Sequence, residues 1–174
     1  MKKALVFGFL FLATSCVTSK ITSNKSPNFN EKISKLYVMV KGTDSAKPFF
    51  YSFTDELRAS LKSKGIESTV KYIDPLSLES ESDINQGIND FGANLIMIIN
   101  QTESRTTVNN GYGWGWGSSG TNTGGTFDVQ IFQLNSKNPV WRANLKADGS
   151  FGLKSSAKLA CEKLIGKLLQ DSLL

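Results

Sequence analysis

The stretch Leu95-Ile96-Met97-Ile98-Ile99-Asn100-Gln101-Thr102-Glu103-Ser104-Arg105-Thr106-Thr107-Val108 changes character halfway. Its first five residues are the most apolar run beyond residue 16. Five consecutive apolar residues without alternation fit a central strand covered on both faces. The polar, threonine-rich remainder reads as the same strand running past the core into solvent. A central strand of this kind needs neighbours on either side, and the flanking sequence supplies them.

Upstream, Ile84, Ile88 and Phe91 fall on one face of a helix from about Ser82 to Phe91, which Gly92 closes. Before it, Ser68 to Ile73 alternates, with Val70 and Tyr72 on one side, and ends at Asp74-Pro75. Phe50, Phe53, Leu57 and Leu61 recur at helical spacing between Pro48 and Gly65. Leu36-Tyr37-Val38-Met39-Val40 is a further apolar run of strand length. Downstream, Thr126 to Leu134 and Val140 to Ala147 form a hairpin around a short turn at residues 135–139. The last element is an amphipathic helix from about Ser155, whose stripe holds Ala157, Ala160, Cys161, Leu164, Ile165 and Leu168. The order is β-α-β-α-β-β-β-α. It predicts a single α/β (α+β) domain over residues 35–174, with helices packed on a mixed sheet.

The amino-terminal segment is of another kind. Lys2 and Lys3, an apolar run from Ala4 to Leu12, and the small residues Ala13-Thr14-Ser15 form the three parts of an export signal over residues 1–15. The apolar run is too short for the roughly 20 residues of a spanning helix. Leu12-Ala13-Thr14-Ser15-Cys16 resembles the bacterial lipobox, and that resemblance implies lipidation of Cys16 and cleavage before it. Residues 16–34, rich in Ser, Thr, Asn and Lys, read as the lipidated cysteine and a flexible tether. The mature chain is then expected on a membrane through its lipid. Val17 follows the cysteine, where a retaining Asp is absent; this favours the outer membrane, at its periplasmic face rather than the cell surface.

Removing Lys2 and Lys3 leaves 18 basic against 15 acidic residues, a net charge of +3. These charges are interspersed, without the basic stripe that nucleic acid requires, so no nucleic-acid partner is expected. With no histidine in the chain, the commonest general base and zinc ligand is missing. Ser155-Ser156-Ala157-Lys158 has the S-x-x-K spacing of penicillin-binding enzymes but lacks their companion motifs. Ser155 reads more simply as a helix cap. Asp74, Asp83, Asp90 and Asp128 form no recognisable pair, and Cys161 reads as a buried, inert thiol. No catalytic residue, metal site or cofactor is expected, and the chain reads as non-enzymatic.

The segment 109–125, NNGYGWGWGSSGTNTGG, alternates Tyr112, Trp114 and Trp116 with glycine. Alternation places the three rings on one side of an extended segment, and apolar rings are costly to display without something to meet. These residues are the candidate contact for a partner, either an envelope protein or a glycan such as peptidoglycan. Together with Gly125-Thr126-Phe127-Asp128-Val129 and Pro139-Val140-Trp141-Arg142-Ala143, the anchored cysteine and this loop resemble small bacterial lipoproteins with a DUF4136-type domain, a family of uncharacterised function. This chain has Ala143 where that family has Gly. The element order is also similar to the α/β domain of TolB-like and curli-secretion lipoproteins. That analogy implies an oligomeric secretion or pore-assembly role as the alternative reading. Against it, Glu103, Arg105 and the many threonines lack the apolar alternation that lipid demands of an inserting hairpin.

Overall fold

A computed structural model describes residues 19–74, 76–108, 121–149 and 152–174. Among these residues the elements are β1 (Lys20–Lys25), β2 (Lys35–Lys41), α1 (Lys47–Lys62), β3 (Glu67–Tyr72), α2 (Glu81–Phe91), β4 (Leu95–Val108), β5 (Thr121–Gln133), β6 (Trp141–Ala147) and α3 (Leu153–Gln170). One six-stranded sheet runs in the order β1-β6-β5-β4-β2-β3. The β2 strand is parallel to β3 and to β4, and every other pairing is antiparallel. The single mixed α/β domain read from the sequence is therefore what the chain forms, with one strand added in front.

The two crossovers explain the layering. The first runs from β2 outward to β3 through α1, and the second runs back from β3 past β2 to β4 through α2. Right-handed crossovers taken in opposite directions along a sheet leave their helices on opposite faces. Accordingly α1 and α3 cover one face over Leu36, Val38, Val40, Leu95, Met97 and Ile99, all buried. On the other face Ile88 of α2 meets Tyr37 and Ala93, with Met39, Ile84 and Ile96 only partly buried beside them. The β4 run is thus divided residue by residue: Leu95, Met97 and Ile99 face the large core, while Ile96 and Ile98 face the thinner α2 layer. Each fully buried aliphatic side chain stabilises the fold by about 1.5–3 kcal/mol. On the large-core side, Phe49 stacks on Phe127 with ring centroids 5.0 Å apart and on Phe53 at 5.8 Å.

The stretch expected as a tether is corrected by the structure from residue 20 onward. Lys20–Lys25 pairs with β6 along its whole length, from Lys20↔Lys146 to Lys25↔Trp141. Phe29 and Ile33 are buried in the main core. Asn94 fastens the segment that follows: its Oδ1 accepts from the backbone N–H groups of Ser34 (3.1 Å) and Lys35 (2.9 Å), and its Nδ2 donates to Glu31 (2.8 Å). Polar composition misled the reading here because β1 is an edge strand. Only Ile21 packs against the core, and lysines stand at both ends, where they discourage pairing with another chain. The predicted cap of the last helix is also corrected. The helix begins at Leu153 after Gly152, whose φ of 86° suits glycine, and no side chain caps it. Buried Ser156 instead donates its hydroxyl to the carbonyl oxygen of Asp148.

A carboxylate near the C-terminus closes the structure. Asp171 Oδ2 accepts from Ser23 Oγ (2.5 Å) and from the indole Nε1 of Trp141 (2.7 Å), while Lys167 lies 3.1 Å from its other oxygen. Lys25 donates to the Asp171 backbone carbonyl at 2.9 Å. Burial alone would raise this carboxyl, but the hydrogen bonds from Ser23, Trp141 and Lys167, together with the Lys167 charge, hold it below its ordinary value. Since the folded carboxyl titrates below the unfolded one, its contribution is present above pH of about 4 and is lost as pH falls through the folded value. Asp171→Ala should lower unfolding free energy at pH 7 by about 2 kcal/mol in urea titrations, the typical worth of charge-assisted hydrogen bonds. The gap between wild type and variant should narrow as pH is taken below about 4.

Candidate functional site

The site begins where the sheet stops. The last β4 residue paired with β2 is Asn100, opposite Lys41, and the last β6 residue paired with β5 is Ala147, opposite Gly125. Beyond those pairs β4 and β5 continue together, with no third strand, to Val108↔Thr121. Arg105–Val108 and its partners Thr121–Gly124 form a two-stranded ribbon reaching about 13 Å past the sheet, at about 3.3 Å per residue. This is the polar continuation expected of the Leu95 stretch. The segment read as a loop over 109–125 is shorter than that, because β5 already pairs from Thr121.

The base of the ribbon is built for close approach. A register shift between Gln101 and Glu103 leaves Thr102 as the extra residue of a bulge, which bends and twists the pair. Thr102 Oγ1 donates to the Thr126 carbonyl (3.1 Å), and Thr126 Oγ1 donates to Glu103 Oε2 (3.0 Å). Gln101 Oε1 accepts from both the N–H and the hydroxyl of Thr43, each at 3.0 Å, which ties the ribbon to the loop after β2. A Cβ on Gly124 would stand 2.8 Å from the Ala147 carbonyl, and one on Gly125 would stand 2.9 Å from the Glu103 carbonyl. Both positions therefore exclude any larger residue.

Four other chain segments share this end of the sheet. Because β1 is antiparallel to β6, its first residue, Lys20, lies beside Lys146 and hence near Gly125 and the ribbon base. The C-terminal ends of β2, β3 and β6 are there as well. The chain therefore enters the domain at the end from which the ribbon leaves. Cys16, Tyr112, Trp114 and Trp116 lie outside the described residues; β1 and the ribbon, the elements nearest to them in sequence, share one end of the sheet with β6 between them.

Three of the aspartates considered from the sequence, Asp74, Asp83 and Asp128, have structural partners rather than one another. Asp128 receives Arg142 in a two-pronged pair, Nε to Oδ1 at 2.7 Å and an η nitrogen to Oδ2 at 3.0 Å. Asp83 and Ser80 cap α2 reciprocally, with the Ser80 hydrogen bonds holding the Asp83 carboxyl below its ordinary value. Asp74 accepts the N–H of Leu76 at 2.9 Å. Cys161 is buried, and that burial pushes its thiol up to about 11, so little thiolate exists at neutral pH. Among the described residues no group of His, Cys, Asp or Glu is arranged to hold a metal ion, and no helix is long and apolar enough to cross a membrane. Asp171 escaped the sequence reading entirely, since its partners Ser23 and Trp141 are 148 and 30 residues away.

No protein-family profile and no curated protein sequence matches the chain. Solved structures do match in fold. The PelC dodecamer from Paraburkholderia phytofirmans superposes with a TM-score of 0.54 at 14% identity, covering 84% of this chain and 95% of PelC. A point variant of the same dodecamer gives 0.55 at 15% identity, with 84% and 96% covered. Lipoprotein GNA1162 from Neisseria meningitidis gives 0.43 at 10% identity, over 79% of this chain and 99% of that one. The PelC likeness shows that the α/β fold, with nearly the whole of each chain involved, recurs in a protein of the bacterial world that assembles into a dodecamer.

Placing a branched side chain at the ribbon base tests how it is held. Gly125→Val should cost about 1–3 kcal/mol through crowding against the Glu103 carbonyl and the Phe127 ring. Limited proteolysis of that variant should cut between residues 101 and 125 before it cuts the helices; cleavage starting in the helices would mean that the ribbon is not the weakest element.

Proposed function

We propose that this chain is a non-enzymatic, lipid-anchored protein of the bacterial cell envelope that holds a partner at the end of its β4–β5 ribbon. The observation that carries the reading is the shared end: β1 starts, and the ribbon leaves, on the same side of the sheet. An isolated two-stranded ribbon is marginal in water and gains stability by packing against something. The sequence between its two strands includes Tyr112, Trp114 and Trp116, residue types that suit protein hot spots, sugar faces and membrane interfaces. With lipid on Cys16, only four peptide steps separate the anchor from Lys20, a reach of about 14 Å at most. The ribbon end is thereby the end nearest the membrane, and its partner is an envelope protein or glycan met close to the lipid surface. The outer membrane, at its periplasmic face, is the assigned location.

A second reading, assembly into an oligomer, is favoured by the fold shared with the PelC dodecamer. It is compatible with the first, since a ring of such chains would present its ribbons together.

Two variants separate anchor from contact. Cys16→Ser should release the chain from the membrane fraction and remove the lipid mass from its N-terminal peptide. The triple change Tyr112→Ala, Trp114→Ala and Trp116→Ala should leave the lipid and the urea midpoint unchanged while abolishing crosslinking to the partner in cells. A triple variant that crosslinks as before would dismiss the ribbon tip as the contact.

A further inference from the structure

Two neighbouring features of the fold lack a counterpart. The first is the loop between β3 and α2, where Leu76 is 87% exposed and Leu78 101%. That loop is braced. Asp74 holds the Leu76 N–H, Ser77 Oγ holds the Glu79 N–H at 3.1 Å, and Lys71 pairs with Glu79. The leucines are therefore held outward by a hydrogen-bonded turn, and two fully open leucines in one short loop are an unfavourable display for a surface that meets only water.

The second feature is a cleft beside α2. That helix is too narrow to cover its face of the sheet, so Met39, Ile96, Ile98 and Phe132 form a half-buried apolar floor next to it. The cleft has a volume of about 510 Å³, and Lys41 and Lys137 stand on its rim. Neither lysine joins an ion pair among the described residues.

We infer that two copies of this chain associate by seating the Leu76–Leu78 loop of one in the α2 cleft of the other. The inference deepens the assembly reading given above by naming the surfaces, and it does not depend on the lipid or on the ribbon tip. The apolar knob matches the apolar floor. Charge matches as well: Asp74 flanks the leucines on the loop, and Lys41 and Lys137 rim the cleft. Ile73 and Glu81, which bracket the loop, also line the cleft mouth, so knob and cleft adjoin at the start of α2. A two-fold axis past that point would place each loop in the other copy's cleft, the self-complementary arrangement of a symmetric pair. A bilayer is the less suitable occupant, because the acidic residues around the leucines would face the negative surface of anionic lipids.

The test uses the full chain in cells, with two differently tagged forms expressed together, one carrying Leu78→Cys and the other Ile98→Cys. Copper-phenanthroline should convert the mixture into a disulfide-linked heterodimer and leave a mixture of unsubstituted tagged chains unlinked; buried Cys161 does not compete. In parallel, Leu78→Asp should weaken self-association of the detergent-extracted chain about ten- to a hundredfold in sedimentation, the loss expected from one buried leucine. If the unsubstituted chain sediments as a monomer at every concentration, both this inference and the assembly reading are overturned. If it sediments as an oligomer but no heterodimer forms and Leu78→Asp changes nothing, the loop contact alone is overturned. A fluorophore on Leu78→Cys that is shielded by anionic vesicles, without crosslinking between copies, would likewise overturn it in favour of a lipid contact.

Discussion

The fold depends on a strand that is apolar on both faces. Leu95, Met97 and Ile99 need one cover and Ile96 and Ile98 need another, so β4 must sit inside the sheet with helices on both sides. A parallel neighbour, β2, satisfies it on one edge and an antiparallel neighbour, β5, on the other. The crossovers through α1 and α2 follow from the first pairing, because parallel strands can only be joined by a long connection. The β5–β6 hairpin follows from the second. The same strand then outruns β2 and, still paired with β5, passes the end of β6 to become the ribbon. Core and candidate site are consecutive halves of one element.

Cover is unequal on the two faces of the sheet. The face under α1 and α3 is closed by aromatic stacking, by aliphatic layers and by the Asp171 cluster, which joins the first strand, the last strand and the last helix. The α2 face buries only a small cluster and leaves an open apolar floor. On the thin side, side chains are accessible without dismantling the core.

Periodicity made most of this visible beforehand. The helical spacing from Phe50 to Leu61 and from Ala157 to Leu168 places α1 and α3, and the alternation from Trp141 to Ala147 matches the buried and exposed pattern of β6 residue by residue. What stayed hidden has a common physical cause. Edge strand β1 needs only one inward apolar residue, Ile21, and its stability comes from hydrogen bonds to a strand 120 residues away; local composition records neither. Asp171 is likewise defined by partners distant in the chain, and the α2 cleft by what a short helix fails to cover. The aromatic residues of the candidate site were conspicuous as a pattern. The topology adds what a pattern cannot hold, namely that the elements leading to those rings and to the N-terminal cysteine lie at one end of the domain.

That shared end has a mechanical meaning. With lipid on Cys16 and a partner on the ribbon, any pull between membrane and partner would enter and leave the domain on the same side. The far half of the sheet and the three helices would lie outside the line of force. Tension between the two attachments would run across the strands at that end, so the β1–β6 pairing would be loaded first at Lys20↔Lys146. Lys25 and Ser23, tied to Asp171, would resist at the far end of that strand. A strong pull would therefore open the edge strand before it reached the packed core, as a seam gives before the cloth.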